Sequence, residues 1–242
     1  MKRKKLVIGL SIVLGIIIVL SGIFFIYVGT YYPADMNAIL NMGYSGFEVR
    51  QIDDGTTAYV PHGDFDTGII FYPGGKVQHQ AYIPLMQSIA SRGVLCILVD
   101  MPFNLAVFDI DRADEVYEGF VMVDHWYMAG HSLGGSMACE YVADRQELFE
   151  GVILLGAYSS ADLSGTSLKV LSIYGSADTV LNKTKYEKSK QNLPNGFVEY
   201  IIFGGNHAYF GTYGEQKGDG HASITNKEQI TLTTEQIINF VK

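Results

Sequence analysis

The chain has 242 residues, 48% hydrophobic and 17% charged, with a formal net charge of −8. That length holds one catalytic domain and little else, and the apolar content excludes global disorder. The acidic balance argues against nucleic-acid binding, which needs a basic footprint, and disfavours polyanionic or strongly acidic substrates on the general surface.

Lys2, Arg3, Lys4 and Lys5 form a basic cluster, so residues 1–5 read as a cytoplasmic tip. Leu6 to Val28 follows as 23 residues without a charge, enough to cross a bilayer as a helix. A cleaved signal peptide is the alternative. Its apolar core, however, usually runs only about 7–15 residues and ends at a small-x-small site, and no such site is obvious here. Tyr27, Tyr31 and Tyr32 resemble an interfacial aromatic belt, and no Cys follows to carry a lipid. The expectation is a single-pass signal anchor over 6–28, with the remaining domain on the extracytoplasmic side of the cell membrane. Without the four basic residues the exported part carries −12. Its two cysteines, Cys96 and Cys139, fall in apolar elements and read as buried thiols, although an exported domain permits a disulfide.

Residues 29–45, containing Pro33, read as a linker, and the domain proper is expected over 46–242. Phe47 to Ile52 and Thr56 to Val60 predict a hairpin around Asp53-Asp54-Gly55. Gly68 to Tyr72 predicts a buried strand, and Tyr82 to Arg92 a helix with Pro84 in its first turn and Gly93 as its stop. Val94 to Val99 has the continuous apolar character of a central parallel strand. Asp109 to Phe120 predicts a helix with Ile110, Ala113, Val116, Tyr117 and Phe120 on one face. Strands are then expected at Trp126 to Ala129, Gly151 to Leu155, Lys169 to Tyr174 and Val198 to Phe203. Helices are expected at Ser136 to Ala143, Thr184 to Gln191 and Thr234 to Val241. A hairpin followed by β-α repeats implies an α/β fold with a doubly wound, mostly parallel sheet.

The strongest local signal is Gly130-His131-Ser132-Leu133-Gly134-Gly135. A serine in a strained strand-to-helix turn needs neighbours two positions away that lack a Cβ, and here a strand precedes and an amphipathic helix follows. This segment resembles the nucleophile elbow of the α/β-hydrolase superfamily, and the resemblance covers residues 46–242. Within the superfamily the chain is similar to the small, lid-poor branch of dienelactone-hydrolase-like and esterase-like members. The resemblance implies the chain order Ser, acid, His, each at the carboxyl end of a strand. Asp178, in Tyr174-Gly175-Ser176-Ala177-Asp178, and His207, in Gly204-Gly205-Asn206-His207, fit that order. Asp162 is the alternative acid and His221 the alternative base. His131 points away from the elbow and reads as packing.

The backbone N–H of Leu133 is one expected oxyanion donor. Gly75 or Lys76, in Tyr72-Pro73-Gly74-Gly75-Lys76, is expected to supply the second. One such donor contributes about 2.7–4 kcal/mol to transition-state stabilisation. Asp109, Asp111 and Asp114 fail the EF-hand pattern, with no Gly at its sixth position and Phe120 at its twelfth. They read as acids favoured at a helix start, and no spacing suggests a metal site. Ala208 to Gly220, rich in aromatics and glycine, is either a pocket wall or a packed surface loop.

The expected function is cleavage of a small-molecule or surface-bound carboxylic ester through an acyl-enzyme, with no cofactor required. Acyltransferase or peptidase chemistry on the same triad is one alternative, and an exported non-catalytic scaffold on the same fold is another. An intact triad in the right order argues against the scaffold, which has no need of the set.

Overall fold

In the computed structural model, residues 2–242 are described; Met1 of the basic tip and the side chains of Lys2, Arg3 and Glu118 lie outside that part. The chain divides into two units, residues 1–31 and 32–242. The first is a single helix, α1 (Lys2–Gly29). Its Lys4–Gly29 portion, 26 residues, is long and apolar enough to cross a membrane. At 1.5 Å per residue it reaches about 39 Å, against a hydrocarbon core of about 30 Å.

The second unit begins inside the segment expected as a linker. Tyr32 forms a parallel bridge with Val77, its N–H donating to the Lys76 carbonyl at 2.7 Å. A short helix, α2 (Met36–Leu40), follows, capped by the Asp35 carboxylate on the Ala38 N–H. The hairpin is formed by β1 (Phe47–Asp53) and β2 (Thr56–Pro61). Then come β3 (Thr67–Tyr72), α3 (Ile83–Ala90), β4 (Leu95–Val99), β5 (His125–His131), α4 (Leu133–Ala143), β6 (Gly151–Leu155), β7 (Lys169–Gly175), α5 (Lys183–Ser189), β8 (Val198–Ile202) and α6 (Asn226–Val241).

The eight strands form one sheet in the order β1-β2-β4-β3-β5-β6-β7-β8. From β4 to β8 every neighbour is parallel. β4 is parallel only to β3, since the hairpin strand β2 lies antiparallel on its other side. Side chains alternate strictly. Ile69 and Phe71 of β3 join the core with Leu85, Ile89, Ile230 and Ile237 of α3 and α6. Ile70 and Tyr72 join the opposite core with Ala138, Tyr141 and Val142 of α4. Helices therefore cover both faces, which explains why the strands read as unbroken apolar runs. β4 and β5 lie on opposite sides of β3, so the chain reverses its winding there. Just outside the carboxyl ends of the strands at such a switch point, open α/β sheets form their binding crevice.

Two expectations are corrected. Residues 106–119 form successive 3₁₀ turns, Ala106–Phe108, Ile110–Glu115 and Tyr117–Gly119, rather than an α-helix. The cause is a side chain from the sheet. The buried Tyr72 hydroxyl accepts the Ala113 N–H at 3.0 Å and donates to the Ile110 carbonyl at 2.6 Å, substituting for helical bonds. The expected apolar face survives, with Ala113, Val116 and Phe120 buried. Asp111, in the first turn of Ile110–Glu115, and Asp114 both pair with Arg145. The last helix starts at Asn226, eight residues before its expected start, on a capping box between Thr225 and Glu228. Cys96 and Cys139 are both buried and free.

Candidate active site

β5 ends at His131, and α4 begins at Leu133. The single residue between them, Ser132, has φ 51° and ψ −120°, a region that side-chain-bearing residues enter only at a cost of order 1–3 kcal/mol. A Cβ at Gly130 would strike the backbone of Gly134 and Gly135, and one at Gly134 the Tyr72 carbonyl. The two glycines are therefore what lets strand, turn and helix close so tightly. Ser132 and Leu133 face a cleft of about 260 Å³ that Gly156, Leu181 and His207 also line.

His207 and Asp178 come from the loops after β8 and β7. Both are buried, and His207 Nδ1 lies 2.8 Å from Asp178 Oδ2. The other carboxylate oxygen accepts the N–H groups of Val180 and Leu181 at 3.0 and 2.8 Å. The carboxylate is thus fixed in place, and the imidazole edge bearing Nε2 is left for the cleft. Asp162 does not compete. It is exposed and turned back on the Ser164 N–H and hydroxyl, which hold its carboxyl below the usual range. His221 is also exposed, with only Glu215 at 3.7 Å.

Of the three expected oxyanion donors the structure separates two from the third. Leu133 stands at the first position of α4, where N–H groups lack intrahelical acceptors. Gly75 lies against Leu133, a Cβ there falling 3.0 Å from Leu133 Cδ2. Lys76 is corrected: its N–H donates to the Asn104 carbonyl at 2.7 Å, so that group is already committed. The expectation erred because a contact with residue 104 is invisible in the local sequence.

Three features escaped the sequence reading. Gly156 ends β6 with φ +53°, and a Cβ there would lie 2.9 Å from His207 Nδ1 and 3.2 Å from Asp178 Oδ2. Asp219 braces the acid and base loops, accepting the Thr179 N–H at 3.3 Å and the Ala208 N–H at 2.8 Å. Asp219 lies in the segment Ala208 to Gly220. That segment packs behind the pair, with Phe210 and Tyr213 in the core, and does not line the cleft beside Ser132. The third feature, the surroundings of His131, is buried packing as expected but carries polar contacts to Tyr82 as well. Among the described residues no cluster of His, Cys, Asp and Glu could hold a metal ion.

The model of the alpha/beta hydrolase family matches residues 68–231, about two-thirds of the chain. Among solved structures, a dienelactone hydrolase from Anabaena variabilis ATCC 29413 is similar at 15% identity and a TM-score of 0.58. The likeness covers 81% of this chain and 97% of that one. At that identity the likeness speaks for the fold. No curated protein matches the sequence. The family match spans the strand before the glycine loop, the serine turn and both residues of the buried pair, and on that ground this chain is a member of the α/β hydrolase family.

Proposed function

We propose that this protein is a membrane-anchored serine hydrolase that cleaves carboxylic esters through Ser132, His207 and Asp178. The observation carrying the reading is that a buried His207–Asp178 pair and a serine held at a strained turn open onto one cleft. His207 takes the Ser132 proton through Nε2 while Asp178 holds Nδ1–H and stabilises the imidazolium. The serine oxygen attacks the ester carbonyl, and the N–H groups of Leu133 and Gly75 receive the oxyanion. The protonated His207 then releases the alcohol, and water repeats the sequence on the acyl-enzyme.

The connection between β6 and β7, residues 156–168, leaves no room for a large cap there, which favours small soluble esters or an acyl group displayed on a larger surface. The apolar helix anchors the chain in the cell membrane. Its basic start places the N-terminus inside and the catalytic unit outside.

The test is fluorophosphonate labelling of the full chain in detergent, beside Ser132→Ala and His207→Ala. Labelling should vanish in the first and fall by about 10³-fold or more in the second. Wild-type protein that labels no faster than Ser132→Ala would sink the proposal.

A further inference from the structure

We propose that Tyr82 and His131 form a buried positioning pair that locks the glycine loop after β3 onto the serine turn after β5, and so sets the Gly75 N–H for the oxyanion. The inference rests on the esterase reading above and adds two residues that touch neither substrate nor reacting atoms.

β3 and β5 are ladder partners only as far as Tyr72 and Gly130. Everything the reaction needs from them lies beyond that last pair: Gly74 and Gly75 on one chain, Ser132 and Leu133 on the other. No strand pairing keeps these two ends in register. Tyr82 closes the gap from the 3₁₀ turn His79–Tyr82 that leads into α3. Its buried hydroxyl accepts the Gly74 N–H at 3.0 Å and lies 2.8 Å from His131 Nδ1, one residue before the nucleophile.

The hydroxyl has a single proton. Besides the Gly74 N–H, the hydroxyl's one partner among the described residues is His131 Nδ1, so we assign the proton to that bond, which puts the hydrogen of the neutral His131 ring on Nε2. Burial, and then the neighbouring His207, push the His131 proton affinity well down, which agrees with a neutral ring. The loop is shaped for this bridge. A Cβ at Gly74 would lie 2.7 Å from both the Tyr82 oxygen and His131 Nδ1.

His131 is not a reserve base. Its ring centroid is 4.4 Å from that of His207, but its acceptor nitrogen is occupied by Tyr82. Its Nε2 is buried beside the His207 backbone without a well-formed hydrogen bond. A buried donor left unpaired lowers stability, so packing alone would favour an apolar residue at 131. What an apolar residue cannot supply is the acceptor for Tyr82.

That conflict defines the experiment. Full-length wild type, Tyr82→Phe, His131→Leu and His131→Asn are compared in detergent for kcat and KM on a short-chain ester. Inhibition by phenylboronic acid, whose serine adduct mimics the tetrahedral oxyanion, is measured in parallel, and near-UV circular dichroism checks the fold. Tyr82→Phe and His131→Leu should lose about 10- to 100-fold in kcat, part of what a whole oxyanion donor contributes. KM should stay within about twofold, and the boronate constant should rise by the same factor as kcat falls. His131→Asn, whose amide oxygen can replace Nδ1 as acceptor, should recover most of the rate. Should one variant lose its near-UV signal, the other two decide the comparison. Wild-type kcat in Tyr82→Phe or in a folded His131→Leu overturns the inference, as does a rate loss that leaves boronate affinity unchanged. An active wild type separates those failures from failure of the esterase reading, which would show as wild type no faster than Ser132→Ala and would remove this inference with it.

Discussion

The two edges of the central sheet differ in a way that volume would misjudge. At the amino edge, Leu168, Val170, Pro194, Phe197 and Phe240 help line a crevice of about 640 Å³, more than twice the cleft at the carboxyl edge. In its lining the one described residue with a left-handed backbone is Gly196, and the ionic groups nearby, Glu150 and Lys169, are partly exposed. The smaller cleft instead gathers a strained serine, a left-handed Gly156 and a buried His–Asp pair. Hollow space forms wherever helix ends and strand starts fail to meet. Strain and buried charge persist only where the surrounding structure enforces them, and such features concentrate at functional sites.

The contrast breaks first if the buried pair is idle. Asp178→Asn should reduce ester turnover by about 10⁴-fold, because the imidazole loses its tautomer partner. Asp162→Asn should leave it within about twofold. Equal effects from the two would mean the acid has been misassigned. Gly156→Ala is next in size. A methyl group 2.9 Å from His207 Nδ1 must displace the ring or the strand end, and misplacement on the 1 Å scale costs about 10²-fold in rate. The left-handed φ adds about 1–2 kcal/mol of destabilisation, readable as a lower denaturation midpoint.

How much of this contrast was legible in the sequence depends on how local its causes are. The elbow was legible because one of its glycines, Gly130, is required by backbone only four and five residues away, although Gly134 answers to Tyr72 across the sheet. The placement of Ser132, Asp178 and His207 just past strand ends was legible because such ends announce themselves as apolar runs meeting glycine. Gly156 was not, since its partners lie 22 and 51 residues further on. The choice of Gly75 over Lys76 turned on Asn104, and the 3₁₀ character of residues 106–119 turned on a hydroxyl projecting from β3. The early start of α6 was written locally, in Thr225-x-x-Glu228, although Thr231, Thr233 and Thr234 have low helix propensity. In the fold Thr233 and Thr234 are buried, and their hydroxyls return to the carbonyls four residues back.

The larger crevice offers the converse test. Asn195→Trp places a bulky ring at its exposed lip and should leave kcat/KM within about twofold, as surface substitutions away from special features generally do. A drop of tenfold or more would make the amino edge part of the working enzyme and remove the distinction between the edges.

The smallest effect belongs to the ionic cluster beside that crevice. Glu150 Oε1 lies 2.7 Å from His125 Nδ1, and Oε2 lies 3.0 Å from Lys169 Nζ. The hydrogen bonds from His125, then from Lys169, hold its carboxyl below the usual range against a small opposing effect of burial. A depressed carboxylate stabilises the fold above its unfolded pKa of about 4.3, and that contribution disappears as pH falls through the lower folded value. The side chain is about one-third exposed (35%), so screening discounts the pair to about 0.5 kcal/mol or less. Urea midpoints of wild type and Glu150→Gln should therefore differ slightly at pH 7 and converge once pH falls below the folded value, with kcat at pH 7 unchanged. A difference that persists in acid would show that Glu150 acts through packing rather than charge, and a change in kcat would tie this edge to the site across the sheet.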